Sequence, residues 1–217
     1  MTSVGRFPPT VQPINSQPIA AMPEQNTPTF RSPMLMNADD TVVVVVDMQE
    51  KLLPAIENGA ALIASVQRLI QGARILSVPV YFTEQYPKGL GKTVSSINVG
   101  ETEATDQSNV FEKKMFSFRE STGLLEELKR CEAHNVLIIG IEAHICVLQS
   151  ALDAVALGFN VFVCADAVGA RREHDRAIAL QRLEANGVTL TTVESALFEV
   201  CATANHPPFQ ALSALVK

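Results

Sequence analysis

The chain has 217 residues, 47% of them hydrophobic and 18% charged, which suits one globular domain with a sizeable core. Its formal charge is −6 and it carries no basic run, which argues against nucleic acid or an anionic membrane surface as partner. No apolar segment reaches the roughly 20 residues needed to span a bilayer, so no membrane partner is expected.

Residues 1–40 differ from the rest. Seven of the twelve prolines lie there (Pro8, Pro9, Pro13, Pro18, Pro23, Pro28, Pro33), among Gln, Asn, Ser and Thr. Prolines at that density block regular structure, and no helical or strand period survives. The segment lacks the apolar stretch of a signal peptide, and its prolines spoil an amphipathic transit helix. An extended or disordered arm is expected, with Met34 or Met36 as alternative starts.

Residues 41–217 read as one domain in which apolar runs alternate with helical patterns. The runs are Val42 to Val46, Val78 to Phe82, Asn135 to Ile141, Asn160 to Cys164 and Val188 to Thr191. Strands without polar alternation are buried on both faces, as in a parallel sheet covered by helices. Helical patterns occupy about Ala60 to Leu76, Ser121 to Cys131, His144 to Leu157 and Glu173 to Ala185, with a further helix from about Glu194. Gly158 and Gly187 are placed to end helices. The fold class is therefore α/β: a doubly wound three-layer sandwich with five or six parallel strands.

Such a fold binds ligands beyond the C-terminal strand ends, where the strand order reverses. In an order 3-2-1-4-5, Asp47 after the first strand and Cys146 after Asn135 to Ile141 flank that point. Asp47 either caps the next turn or handles the proton of a nucleophile. Cys146 either packs or, at a helix N-terminus, gains thiolate character. In FEKKMFSF (111–118) one of two lysines could support that thiolate, while surface exposure is the ordinary fate of the other. Cys131, Cys146, Cys164 and Cys201 are widely spaced without zinc-type or CxxC patterns, which suits free thiols in a reducing cytoplasm.

YPKGLGKT (86–93) resembles a phosphate loop, but Tyr86 stands where that motif needs its first glycine and no helix pattern follows. The histidines (His134, His144, His174, His206) lack metal-ligand spacing, so neither a metal nor another cofactor is expected. His144 lies two residues before Cys146, a spacing that does not bring side chains together on a helix, so it suits a helix start or a pocket rim.

Five stretches together resemble the isochorismatase-like cysteine hydrolases, closest to the isochorismatase domain-containing proteins. They are VVDMQEKL (45–52), VPVYFTEQYPKGLGKT (78–93), EKKMFSF (112–118), GIEAHICVLQSALDAVALGFNVFVCADAVGAR (140–171) and RREHDRAIAL (171–180), and the likeness runs from about Thr41 to Pro208. The resemblance implies a Rossmann-like parallel sheet and a catalytic triad of Asp47, Lys113 and Cys146. It also implies a non-proline cis peptide at Glu142–Ala143, with the Ala143 and Cys146 amides as an oxyanion hole. Glu84, Gln85, Tyr86, Phe116 and Glu142 then become candidates for the substrate pocket. The loop TEQYPKGLG has no histidine where related nicotinamidases hold zinc.

A retained cysteine fits attack on a small amide, ureido or ester carbonyl through a thioester. A non-catalytic binding or scaffold protein, and acid-catalysed vinyl ether hydrolysis, stand as the alternatives. The family habit and the small residues Ala151, Ala154 and Ala156 suggest a homo-oligomer. A nucleophilic Cys146 is expected to alkylate before Cys131, Cys164 and Cys201.

Overall fold

The computed structural model describes residues 31–97 and 109–217, so most of the proline-rich arm lies outside the described residues. Residues 33–217 form one compact unit. Its six strands are β1 (Thr41–Val46), β2 (Val80–Gln85), β3 (Val110–Lys113), β4 (Asn135–Ile141), β5 (Asn160–Gly169) and β6 (Thr189–Thr191). Every pairing between them is parallel, in the order β3-β2-β1-β4-β5-β6. The helices are α1 (Gly59–Ile75), the single turn α2 (Pro87–Leu90), α3 (Thr122–Arg130), α4 (Leu148–Ala156), α5 (Glu173–Glu184), α6 (Val193–Cys201) and α7 (Phe209–Val216).

The valines of β1 build both cores. Val43 and Val45 face α1, α6 and α7, while Val42, Val44 and Val46 face α3, α4 and α5. Successive strand side chains point to opposite faces, so an unbroken valine run requires helices on both sides. Met36 is fully buried in the first of these cores, and its amide donates to Glu199 at 2.8 Å. The packed unit thus begins before residue 41, because an apolar side chain there finds a place against α6.

Several boundaries differ from the sequence reading. β2 starts two residues later than expected, because Ser77 turns with φ 59° and Pro79 has no N–H to give a ladder. It also runs on through Thr83, Glu84 and Gln85, each of whose side chains finds a hydrogen-bond partner. β5 continues to Gly169 past a register shift opposite Ile138 and Gly140. β3 and α7 carried too weak a pattern to be anticipated. Gly158 and Gly187 have φ of 93° and 85°, the left-handed values expected after helices.

The strand order reverses between β1 and β4. There Val46 pairs with Gly140, whose φ is +112°. A Cβ on Gly140 would stand 2.1 Å from the Val46 carbonyl oxygen, so only glycine lets the two strands close at this level. Among the described residues, no helix is long and apolar enough to cross a membrane.

Candidate active site

Immediately beyond this close approach Asp47 follows the end of β1, turns the chain with φ 50° and is fully buried. Aspartate tolerates the left-handed region better than the β-branched residues before it. Lys113 arrives from the end of β3, two strands away, and is buried as well. Its Nζ donates to Asp47 Oδ2 at 2.7 Å, and both side chains are withdrawn from solvent. Thr83, on the intervening strand, donates its hydroxyl to Asp47 Oδ1 at 2.7 Å.

Cys146 enters from the other side of the reversal point. β4 leads through Glu142 into a π-helical turn, Ala143–Val147, that continues as α4. The cis peptide lies at Ile141–Glu142, one residue earlier than the resemblance implied. The Glu142 carbonyl accepts the Ile145 and Val147 amides at 3.0 and 3.2 Å, so the Ala143 and Cys146 amides are not engaged by it. The thiol interacts with both the Asp47 carboxylate and the Lys113 ammonium.

The electrostatics follow from this packing. Burial lifts the Asp47 carboxyl above its ordinary range, while the charge and hydrogen bond of Lys113 pull it back. Burial, followed by the negative charge of Asp47, pushes the Cys146 thiol up to about 12, and Lys113 opposes both. At neutral pH the resting group is therefore the thiol. The helix start and the lysine do not overcome desolvation. Cys146 is 6% exposed, whereas Cys131 is half-buried beside the Tyr81 hydroxyl at 3.1 Å. Accessibility therefore favours Cys131 for the first alkylation, contrary to the sequence-based expectation.

The other candidates fall into two groups. Glu84 is buried, with Oε1 accepting the Thr93 amide at 2.7 Å, so it ties the β2 end to the following loop. Gln85 turns its amide oxygen to Lys113 Nζ at 2.8 Å. Glu142 is nearly buried and pairs with Arg171 at 2.9 Å. Tyr86 and Phe116 are instead half exposed, as is Met115, and the Phe116 carbonyl accepts from Lys113 at 2.9 Å. These apolar side chains flank the polar centre. A cleft of about 400 Å³ borders Lys113 and is lined by Tyr86, Lys88, Glu112, Lys114 and Glu120. Neither Asp47 nor Cys146 lines it, so it is a groove beside the centre.

One participant had no signal in the sequence. Gln49, fully buried, accepts the Gln85 amide at 2.8 Å and donates to the Gln85 and Gly91 carbonyls at 3.1 and 2.6 Å. The YPKGLGKT loop is held the same way: Lys92 and Leu90 carbonyls accept the Glu50 and Lys51 amides. Its backbone serves structure. His144 is half-buried in the first turn, with Nδ1 unpartnered among the described residues. No group of three or more His, Cys, Asp or Glu among the described residues could hold a metal ion. Ala151 and Ala154 are buried in the chain's own core, so they do not offer the close-approach surface that suggested oligomerisation.

Comparison with known proteins agrees with this architecture. The chain is 40% identical to isochorismatase domain-containing protein 1 of Danio rerio over 79% of its length, and to that of Salmo salar at 41% over 82%. The matched region spans 59% and 61% of those two proteins. Human isochorismatase domain-containing protein 2 is 35% identical, with 82% of this chain and 83% of that protein covered. Among solved structures, MAR1 ribonuclease of Caenorhabditis elegans superposes with a TM-score of 0.77 at 38% identity, covering 84% of this chain and 92% of that one. The YcaC gene product of Escherichia coli, an octameric hydrolase of unknown specificity, gives 0.77 at 21% identity over 86% and 92% of the two chains, a likeness of fold. The isochorismatase-domain profile matches residues 41–195, and the chain belongs to the isochorismatase family, whose members are generally hydrolases.

Proposed function

We propose that the chain is a cysteine-dependent hydrolase of a small amide, ureido or ester substrate, with Cys146 as nucleophile. The observation that carries this reading is the buried cluster of Asp47, Lys113 and Cys146 at the reversal point of the sheet. A thiol raised to about 12 needs a base at the moment of attack, and Asp47 adjoins it with its own proton affinity raised by burial. As the sulfur attacks the carbonyl carbon, its proton passes to Asp47. The carbonyl oxygen becomes an oxyanion held by the Ala143 and Cys146 amides. Collapse expels the amine or alcohol, which takes the proton back from Asp47 and leaves a thioester. Water then attacks the thioester with Asp47 again as base, releasing the acid and restoring the thiol.

Lys113 keeps the cluster close to neutral overall, which suits an uncharged carbonyl group better than a strongly anionic one. Tyr86 and Phe116 flank the centre as candidate contacts for the rest of the substrate. The octameric state of the E. coli neighbour and the exposed Tyr86, Met115 and Phe116 support a homo-oligomer, and the four free cysteines suit a reducing, cytoplasmic setting. Neither a metal nor a nucleic-acid partner is part of this reading.

The test is a hydrolysis panel of small amides, carbamoyl compounds and esters, run with wild type, Cys146→Ala and Asp47→Asn. A short RNA oligonucleotide belongs in the panel because the similar worm protein is a ribonuclease. Turnover lost in both variants supports the thioester route. Turnover of a vinyl ether kept in Cys146→Ala and lost in Asp47→Asn would move the site to acid catalysis. Ligand binding without turnover by any form would leave a binding protein.

A further inference from the structure

We propose that Gln85 is a positioning residue that holds Lys113 as a fixed ammonium, with Gln49 acting through it; this rests on the thiol-centred reading above. An ammonium has three N–H donors and no acceptor. On Lys113 all three find close acceptors: Asp47 Oδ2 at 2.7 Å, Gln85 Oε1 at 2.8 Å and the Phe116 carbonyl at 2.9 Å. The Met115 carbonyl, at 3.4 Å, is a longer and weaker contact. Lys113 is therefore held mainly by the protein, with the thiol as a further neighbour. It acts through its charge, on Asp47 and on the thiol.

A buried ammonium short of acceptors is desolvated without compensation and can swing out of place, which leaves the Asp47 charge less opposed at the thiol. The two neutral acceptors oppose this, because carbonyl dipoles aimed at Nζ hold the ammonium where it is. Phe116 supplies its acceptor from the backbone, so Gln85 is the one of the two that a side-chain substitution can remove. Its orientation is set from both ends. The Gln85 oxygen faces Lys113, and its Nε2 donates to the Lys114 carbonyl at 2.6 Å. A flipped amide would set an NH₂ against the ammonium and oxygen against oxygen.

Gln49 fixes the strand end that carries this side chain. It uses its oxygen and both of its N–H groups on backbone: the Gln85 amide, the Gln85 carbonyl and the Gly91 carbonyl. Two glutamines in series thus join the β1–α1 connection, the end of β2 and the lysine of β3.

Thiol alkylation tests this without a known substrate. Wild type, Gln85→Met, Gln49→Met, the double variant and Lys113→Met are labelled with limiting iodoacetamide between pH 7 and 10. Peptide mass spectrometry then gives the ratio of Cys146 to Cys131 modification, and N-ethylmaleimide serves as a bulkier second reagent. Gln85→Met should slow Cys146 by about tenfold or more with both reagents, the scale of one hydrogen bond to a charged group, and leave Cys131 unchanged. Gln49→Met should slow it in the same direction, and the double variant should fall within about twofold of Gln85→Met, as expected of residues in one network.

If Lys113→Met slows Cys146 while Gln85→Met stays within about twofold of wild type, Gln85 only packs and the proposal fails alone. A fall confined to the bulkier reagent means altered access, and also overturns it. If neither variant slows Cys146, the thiol-centred reading itself fails. Should Gln85→Met not fold, Gln85→Asn shortens the side chain by one methylene, withdraws the acceptor and is read by the same outcomes.

Discussion

Replacing Lys113 by methionine leaves Asp47 buried with its charge and only neutral partners, Thr83 and the Cys146 thiol. Breaking a buried pair from one side typically costs about 3–5 kcal/mol, because the remaining charge stays desolvated. The three acceptors of the ammonium lose their donor together, which places this site in the upper part of that range. The cost should depend on pH in a definite sense. Asp47 has a folded pKa raised by burial, so its contribution is fully present below the unfolded pKa of 3.8 and is lost as pH rises through the folded value. Removing Lys113 removes its lowering influence and moves the folded pKa higher still. Between the two folded values, the variant should recover about 1.4 kcal/mol relative to wild type for each pH unit of acidification. Other carboxylates titrate in both proteins and cancel in the difference. Urea denaturation of the pair at several pH values from 5 to 8 gives the curve. Adding Asp47→Asn to Lys113→Met should return part of the stability at neutral pH. A loss below about 1 kcal/mol at pH 7, or a gap that stays flat from about pH 8 to 5, would refute the reasoning, since an exposed pair gives a small difference that does not change over that range.

Other outcomes follow from the same geometry. Gly140→Ala should cost more than about 3 kcal/mol in urea unfolding, because its Cβ meets the Val46 backbone where φ is already +112°. Thr83→Val should cost about 1.5–3 kcal/mol by the same measurement, the scale of a hydrogen bond to a charged group. Met36→Ala should cost about 2–5 kcal/mol, since that side chain is core and not arm. Elemental analysis of the purified protein should find no stoichiometric zinc, and EDTA should leave its unfolding curve unchanged.

The parts of this fold legible in the sequence were those with long apolar runs. Five valines before Asp47 and seven apolar-rich residues before Glu142 locate β1 and β4, and with them the reversal point. β3 was not legible as a strand: it has four residues, only Lys113 of them buried, at a sheet edge where packing imposes little pattern. The polar end of β2 was missed for the opposite reason, because Thr83 and Gln85 are satisfied by partners 36 positions away and Glu84 by the loop nine residues on. Gln49 and Gln85 looked like ordinary loop or pocket residues, as their role lies in hydrogen bonds spanning 28 to 42 positions. The thiol's raised proton affinity depends on burial, which an isolated helix start does not reveal.

In the proposed mechanism, acyl transfer to Cys146 is the central step. Rapid mixing with p-nitrophenyl acetate, acid quenching and peptide mass spectrometry measure it directly. A burst of p-nitrophenolate stoichiometric with the chain is expected, together with an acetyl group on the peptide carrying Cys146. Both should vanish in Cys146→Ala and be strongly slowed in Asp47→Asn. Acetylation that falls on other residues, or ester hydrolysis that Cys146→Ala leaves unchanged, would contradict the nucleophilic role of Cys146.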